Sequence, residues 1–126
     1  NNLIKKLNME NKVFLKGYIA DPTDIIGKYH VLLQPSLFEG LSLSLLESWL
    51  YGLSIISTKD SLVPDWIANK NGCYISPTNS IDNISKTILR FVSETLKEEN
   101  IIENRISKNI DIQRTFKNYS RVIKRL

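Results

Sequence analysis

Two carboxylates, Glu39 and Glu47, stand with seven residues between them, and a short run, Gly40-Leu41-Ser42-Leu43-Ser44, follows the first. An ionised carboxylate accepts two charge-assisted hydrogen bonds and so suits vicinal hydroxyls. Gly40 lets a ligand approach the backbone closely, and residues 40–44 lead into an apolar, helix-like segment from about Leu43 to Tyr51. N–H groups at a helix start have no intrahelical partner and carry the positive end of the dipole, which makes them an anion site. Glu39 stands on the loop and Glu47 about one turn inside the helix. The two therefore suit opposite ends of one extended ligand better than a paired acid and base. A plainer reading is also open. Ser44-x-x-Glu47 is a capping-box pattern in which Glu47 only satisfies a backbone donor, and Glu39 is then a solvated loop charge.

The elements that must position these residues follow from the flanks. Val31-Leu32-Leu33 predicts a buried strand, Gly52 stops the helix, and Ile55-Ile56 predicts the next buried strand. Strand, loop, helix, strand is the unit that builds a parallel sheet. Ligands of such sheets bind outside the carboxyl ends of the strands, where residues 35–42 lie. Leu46, Trp49 and Leu50 form the buried face of the helix.

Pro35-Ser36, Glu39-Gly40, Glu47 and Gly52, set between two strands, resemble the donor-site signature of family 4 glycosyltransferases. These are retaining enzymes of the GT-B fold, and the signature belongs to their C-terminal, nucleotide-sugar-binding domain. The resemblance implies that Glu39 is catalytic and faces the donor sugar. It implies that Ser36, Glu39, Gly40, Leu41, Ser42 and Leu43 bind donor sugar and phosphate, and that Glu47 binds the ribose hydroxyls. Gly17 and Tyr18 are base-side candidates on the same ground, although Gly17 serving a turn and Tyr18 packing is the simpler account. Three positions depart from the usual family form: Ser42 where Gly often sits, Ser54 where Pro is usual, and His30 where a small polar residue is usual. His30 is read as structural.

The remaining chain fits an α/β fold, a Rossmann-like parallel sheet with flanking helices. Four strands are expected: Val13-Phe14-Leu15, Val31–Gln34, Ser54–Thr58 and Cys73-Tyr74-Ile75. They correspond to the last four of the six that the resemblance implies in the order 3-2-1-4-5-6. Leu3, Ile4 and Leu7 end a helix. Asp21-Pro22 starts another, with Asp24 in its first turn and Ile25, Ile26 and Tyr29 facing inwards. Pro64 suits a first helical position, Asn71-Gly72 a turn, and Ser80 the cap of a helix whose apolar face is Ile81, Ile84, Ile88, Phe91 and Val92. Ile102, Ile106 and Ile110, then Phe116, Tyr119, Val122, Ile123 and Leu126, predict a helical C-terminal tail. The organisation expected is a half-domain over residues 1–96 with residues 97–126 as the tail of the same domain.

Composition bounds the rest. A chain of 126 residues, 42% apolar and 24% charged, holds one soluble-type domain. Cys73 is the single cysteine, so no internal disulfide forms, and one Cys with one His makes a His/Cys metal cluster improbable. Residues 1–96 carry nine Lys and Arg against nine Asp and Glu, and residues 97–126 carry eight against four. The whole net charge of +4 thus sits in the tail, as a solvated helix face or as a basic surface for an anionic membrane or acidic partner. No interleaving of basic and aromatic residues argues for nucleic acid.

The resemblance implies a nucleotide diphosphate sugar as donor, no cofactor or metal, and a glycan or glycolipid acceptor bound through an N-terminal domain. It implies polysaccharide or cell-envelope synthesis in the cytoplasm, with peripheral contact at the inner face of the membrane. The chain begins Asn1-Asn2 and is read as a piece of something longer that is inactive alone. The rival reading is a non-catalytic remnant that binds nucleotide or a partner. A receiver-type module is disfavoured, because the strand ending Leu33-Gln34 offers no Asp cluster.

Overall fold

A computed structural model describes residues 2–97. In chain order the elements are α1 (Asn2–Lys6), α2 (Thr23–Ile26), β1 (Val31–Gln34), α3 (Leu43–Leu50), β2 (Ser54–Thr58), α4 (Asp65–Ala68), β3 (Cys73–Ser76) and α5 (Ile81–Lys97). The three strands form one parallel sheet in the order β1-β2-β3, so the chain is an α/β protein with a Rossmann-like open sheet. The tail helices expected from Ile102 onwards lie outside the described residues.

Register explains how the two sheet faces are filled. Leu32, Ile55 and Cys73 share one row. They meet Leu45, Leu46 and Trp49 of α3 and Ile67 of α4 in the hydrophobic core. Side chains alternate across a strand, so the next row, Leu33, Ile56 and Tyr74, faces the other way. There Phe91 of α5 meets Tyr74 edge to face, with ring centroids 5.4 Å apart. Two crossovers of one hand, stepping the same way along the sheet, put α3 and α4 on a single face. Full burial of an aliphatic side chain such as Ile55 or Ile67 contributes about 1.5–3 kcal/mol.

The helix that follows the site loop has defined ends. Ser42 is extended at ψ 117°, and its Oγ accepts the Leu45 N–H at 3.3 Å, so Ser42 caps α3. At the other end Gly52 donates to the Trp49 carbonyl and Leu53 to the Ser48 carbonyl, both at 3.0 Å. This is a Schellman turn, and it needs the left-handed φ of +80° that Gly52 supplies. The inward face is broader than expected: Leu45, Leu46 and Ser48 are buried, while Trp49 and Leu50 are half-buried.

Three expectations need correction. Val13-Phe14-Leu15 is not a strand, and its side chains are 41%, 66% and 68% exposed. A strand exists only by pairing, and the implied sheet order puts two strand positions between this segment and β1. No described residue fills those positions. Tyr29 points outwards behind α2, leaving Ile25 and Ile26 half-buried. On α5 the inner face is Ile84, Thr87, Ile88 and Phe91, whereas Ile81 and Val92 are exposed. Ile81 opens the first turn, and among the described elements α5 packs chiefly on β3 and β2, so a narrow stripe suffices. The Ser80 cap does form, with Ser80 Oγ accepting the Asn83 N–H at 3.3 Å.

Candidate functional site

The site loop begins where β1 stops pairing. Gln34 pairs with Ser57 in the last rung between β1 and β2. Pro35 has no N–H to continue the ladder, and hydroxyls of β2 take over. Ser57 Oγ donates to the Gln34 carbonyl at 3.2 Å, and Thr58 Oγ1 donates to the Ser36 carbonyl at 2.7 Å. Further along, Glu39 forms a parallel bridge with Ser61, and the Leu62 N–H donates to the Glu39 carbonyl at 3.1 Å. The backbone of Glu39 is thus fixed by the turn after β2, not by its own strand.

The side chains follow from that frame. Glu39 is half-buried, and its Oε2 accepts a long hydrogen bond from Ser36 Oγ at 3.5 Å. Gly40 is exposed, and a Cβ built there would meet no protein atom within 4 Å. Leu41 and Leu43 are also exposed, flanking the half-buried Ser42. Leu45 N–H is taken by the Ser42 cap, which leaves the first-turn N–H groups of Leu43 and Ser44 without an intrahelical partner. Glu47 is half-buried on α3 and makes no ion pair among the described residues.

Ser36, Glu39, Gly40, Leu41 and Ser42 therefore lie on one loop at the carboxyl end of β1, Leu43 opens α3, and Glu47 is a turn further on. The capping-box alternative for Glu47 is excluded by geometry, because the cap is Ser42 and the residue three positions on is Leu45. Gly17 and Tyr18 are not drawn into this assembly. Tyr18 is 93% exposed, Gly17 takes a left-handed φ of +68°, and no hydrogen bond or ring contact among the described residues links either to the loop.

Sequence reasoning missed Ser57, Thr58 and Ser61. Their signal was present in two successive hydroxyl residues, Ser57 and Thr58, that close the strand after Ile55-Ile56; in the fold both are fully buried. A buried hydroxyl needs a partner, and the nearest unpaired carbonyls are those of the chain leaving β1. Cys73 belongs to the core, where burial pushes its thiol up to about 11, so it stays protonated and unreactive at neutral pH. Among the described residues, no three His, Cys, Asp or Glu side chains group as metal ligands would. No described helix is long and apolar enough to cross a membrane.

Sheet and loop together define a Rossmann-like α/β domain with a polar site at the carboxyl end of its strands. The sequence matches Glycosyl transferases group 1 over residues 1–108, and the chain belongs to that family. It is 29% identical to poly(ribitol-phosphate) alpha-N-acetylglucosaminyltransferase of Staphylococcus aureus (strain COL), over 86% of this chain and 24% of that protein. It is 32% identical to sucrose synthase of Melioribacter roseus, over 94% of this chain and 16% of that protein. It is 30% identical to protein CapJ of Staphylococcus aureus, over 96% of this chain and 33% of that protein. The chain thus spans a third or less of the length of these relatives. No solved structure matches.

Proposed function

We propose that this domain binds the nucleotide-sugar donor of a retaining, GT-B-type family 4 glycosyltransferase. In the whole protein, the bond from the anomeric carbon to the diphosphate oxygen breaks and one from that carbon to an acceptor hydroxyl oxygen forms. The acceptor hydroxyl proton passes to the departing diphosphate oxygen, and the nucleoside diphosphate leaves. Glu39 faces the donor sugar and Ser36 stands beside it. The N–H groups of residues 40–44 meet the phosphates, and the Glu47 carboxylate accepts from the ribose hydroxyls. The donor reading asks for no metal, because backbone N–H groups and the α3 dipole meet the phosphate charge.

The observation that carries this reading is the arrangement of two half-buried carboxylates on either side of the α3 start: Glu39 on a loop tied to the sheet by its backbone, and Glu47 a turn inside the helix. Family membership supports the sugar-transfer chemistry. The relative named for transfer of N-acetylglucosamine to poly(ribitol-phosphate) supports a polymeric acceptor and cell-envelope or polysaccharide synthesis. Such acceptors suit work in the cytoplasm at the inner face of the membrane, and the basic residues 97–126 suit an anionic surface. The test is titration of isotope-labelled chain with UDP, GDP and ADP and their glucose or N-acetylglucosamine derivatives, followed by amide shifts. The expected outcome is saturable shifts at residues 36–47 with one nucleotide class. No shift with any member of the panel overturns the reading.

A further inference from the structure

We infer that Thr58 is a positioning residue for Glu39, acting through the loop and not on the ligand. The inference rests on the proposed role of Glu39 at the donor sugar. Residues 35–40 have little packing to hold them. Leu37 and Phe38, the two large side chains between Ser36 and Glu39, are 79% and 83% exposed. The shape of the loop therefore depends on polar ties, and these converge on the 58–62 turn.

Proton counting gives the ties a direction. Thr58 has one hydroxyl proton, and it goes to the Ser36 carbonyl at 2.7 Å, since a carbonyl only accepts. The 3.2 Å contact between Thr58 Oγ1 and Ser61 Oγ must then run from Ser61 to Thr58. Ser61 is in turn the bridge partner of Glu39, next to Leu62, whose N–H holds the Glu39 carbonyl. Thr58 and Ser61 are 1% and 4% exposed, so water does not substitute for either hydroxyl. One buried threonine thus secures the loop at Ser36 directly and supports its second attachment, at Glu39, through Ser61.

The test compares Thr58→Val, which keeps shape and removes the hydroxyl, with Thr58→Ser, which keeps the hydroxyl. Two readouts are taken on the full chain. The first is amide hydrogen exchange at Leu62, which is bonded to Glu39, against Ile55, which is bonded to the Gly72 carbonyl in the sheet at 2.8 Å. Thr58→Val is expected to lower protection at Leu62 by about tenfold with Ile55 unchanged, and Thr58→Ser to restore it. The second readout is the affinity advantage of a nucleotide sugar over its nucleoside diphosphate, which Thr58→Val should reduce and Thr58→Ser should keep. Unchanged protection at Leu62, or an equal fall at Leu62 and Ile55, overturns the inference, because Thr58 would then only stabilise the sheet. A wild-type chain that binds no nucleotide sugar overturns the donor reading instead, and the exchange comparison still decides whether Thr58 holds the loop.

Discussion

Ser42 and Leu45 fix where α3 begins: the serine Oγ accepts the leucine N–H at 3.3 Å, and Ser44 falls inside the first turn. Two serines two residues apart thus have different jobs. Ser42→Ala should destabilise the chain by about 1 kcal/mol, the usual worth of an N-cap. Ser44→Ala should change stability by less than about 0.5 kcal/mol. Urea unfolding of the two variants makes the comparison, and equal losses would place the helix start elsewhere.

With the cap assigned to Ser42, the Glu47 carboxylate has no structural duty at the helix start. Glu47→Gln should leave the unfolding midpoint close to that of wild type. Donor affinity should fall by about 1.5–3 kcal/mol, the worth of hydrogen bonds to a charged group. Calorimetry with the nucleotide that wild type binds is the measurement. An unchanged affinity would remove Glu47 from the ribose.

Gly40 separates folding from binding in the same way. Its φ is not left-handed, and a Cβ would meet nothing within 4 Å, so the fold tolerates Gly40→Ala. Stability should be unchanged to within about 0.5 kcal/mol. A ligand drawn up to the backbone would meet the new methyl group, and donor affinity should fall at least about tenfold by the same overpacking that penalises extra methylenes in a core. A variant that binds as tightly as wild type would mean that no ligand atom comes close at residue 40.

The sequence was most legible where one row of side chains decides the outcome. Val31-Leu32-Leu33 and Ile55-Ile56 are apolar runs, and the strands built on them, Val31–Gln34 and Ser54–Thr58, pair where expected. Val13-Phe14-Leu15 has the same local signature and forms no strand, because pairing depends on a neighbour that composition does not reveal. The segment from Pro35 to Ser42 was legible as a loop between an apolar run and a helix-like segment, and it is one. What holds it was not, since Thr58 and Ser61 act on carbonyls 22 residues away in one case and through a bridge in the other. On α5, periodicity alone assigned Ile81 and Val92 inwards, and the finite width of the sheet left them out.

Cys73 gives a pH prediction with a definite sign. Burial raises its thiol from 9.0 to about 11, so the folded chain keeps a proton that the unfolded chain releases at lower pH. Stability is unaffected below about pH 9 and falls as pH rises from about 9 towards about 11. In Cys73→Val this decline should be smaller than in wild type, as read from melting temperatures between pH 8 and pH 10.5. Alkylation by iodoacetamide at pH 8 should likewise be much slower in the native chain than in urea. Equal rates in the two states would mean that the thiol is not shielded.

Glu39 offers the sharpest separation between shape and chemistry. Its structural contacts are made by the backbone: the carbonyl accepts from Leu62, and the bridge to Ser61 is likewise main-chain. Among the described residues its side chain has only the 3.5 Å hydrogen bond from Ser36, at the outer limit for one. Glu39→Ala should therefore keep both the loop and the melting temperature, with Leu62 amide protection as the internal check. Affinity for the nucleoside diphosphate should stay near wild type, because in the proposed donor pose the phosphates meet N–H groups further along the chain. Affinity for the corresponding nucleotide sugar should fall to that of the diphosphate alone, a loss of about 1.5–3 kcal/mol for hydrogen bonds to a charged acceptor. Calorimetry with each ligand on both proteins gives the difference directly. Equal losses for diphosphate and diphosphate-sugar would move Glu39 away from the sugar and towards the phosphates.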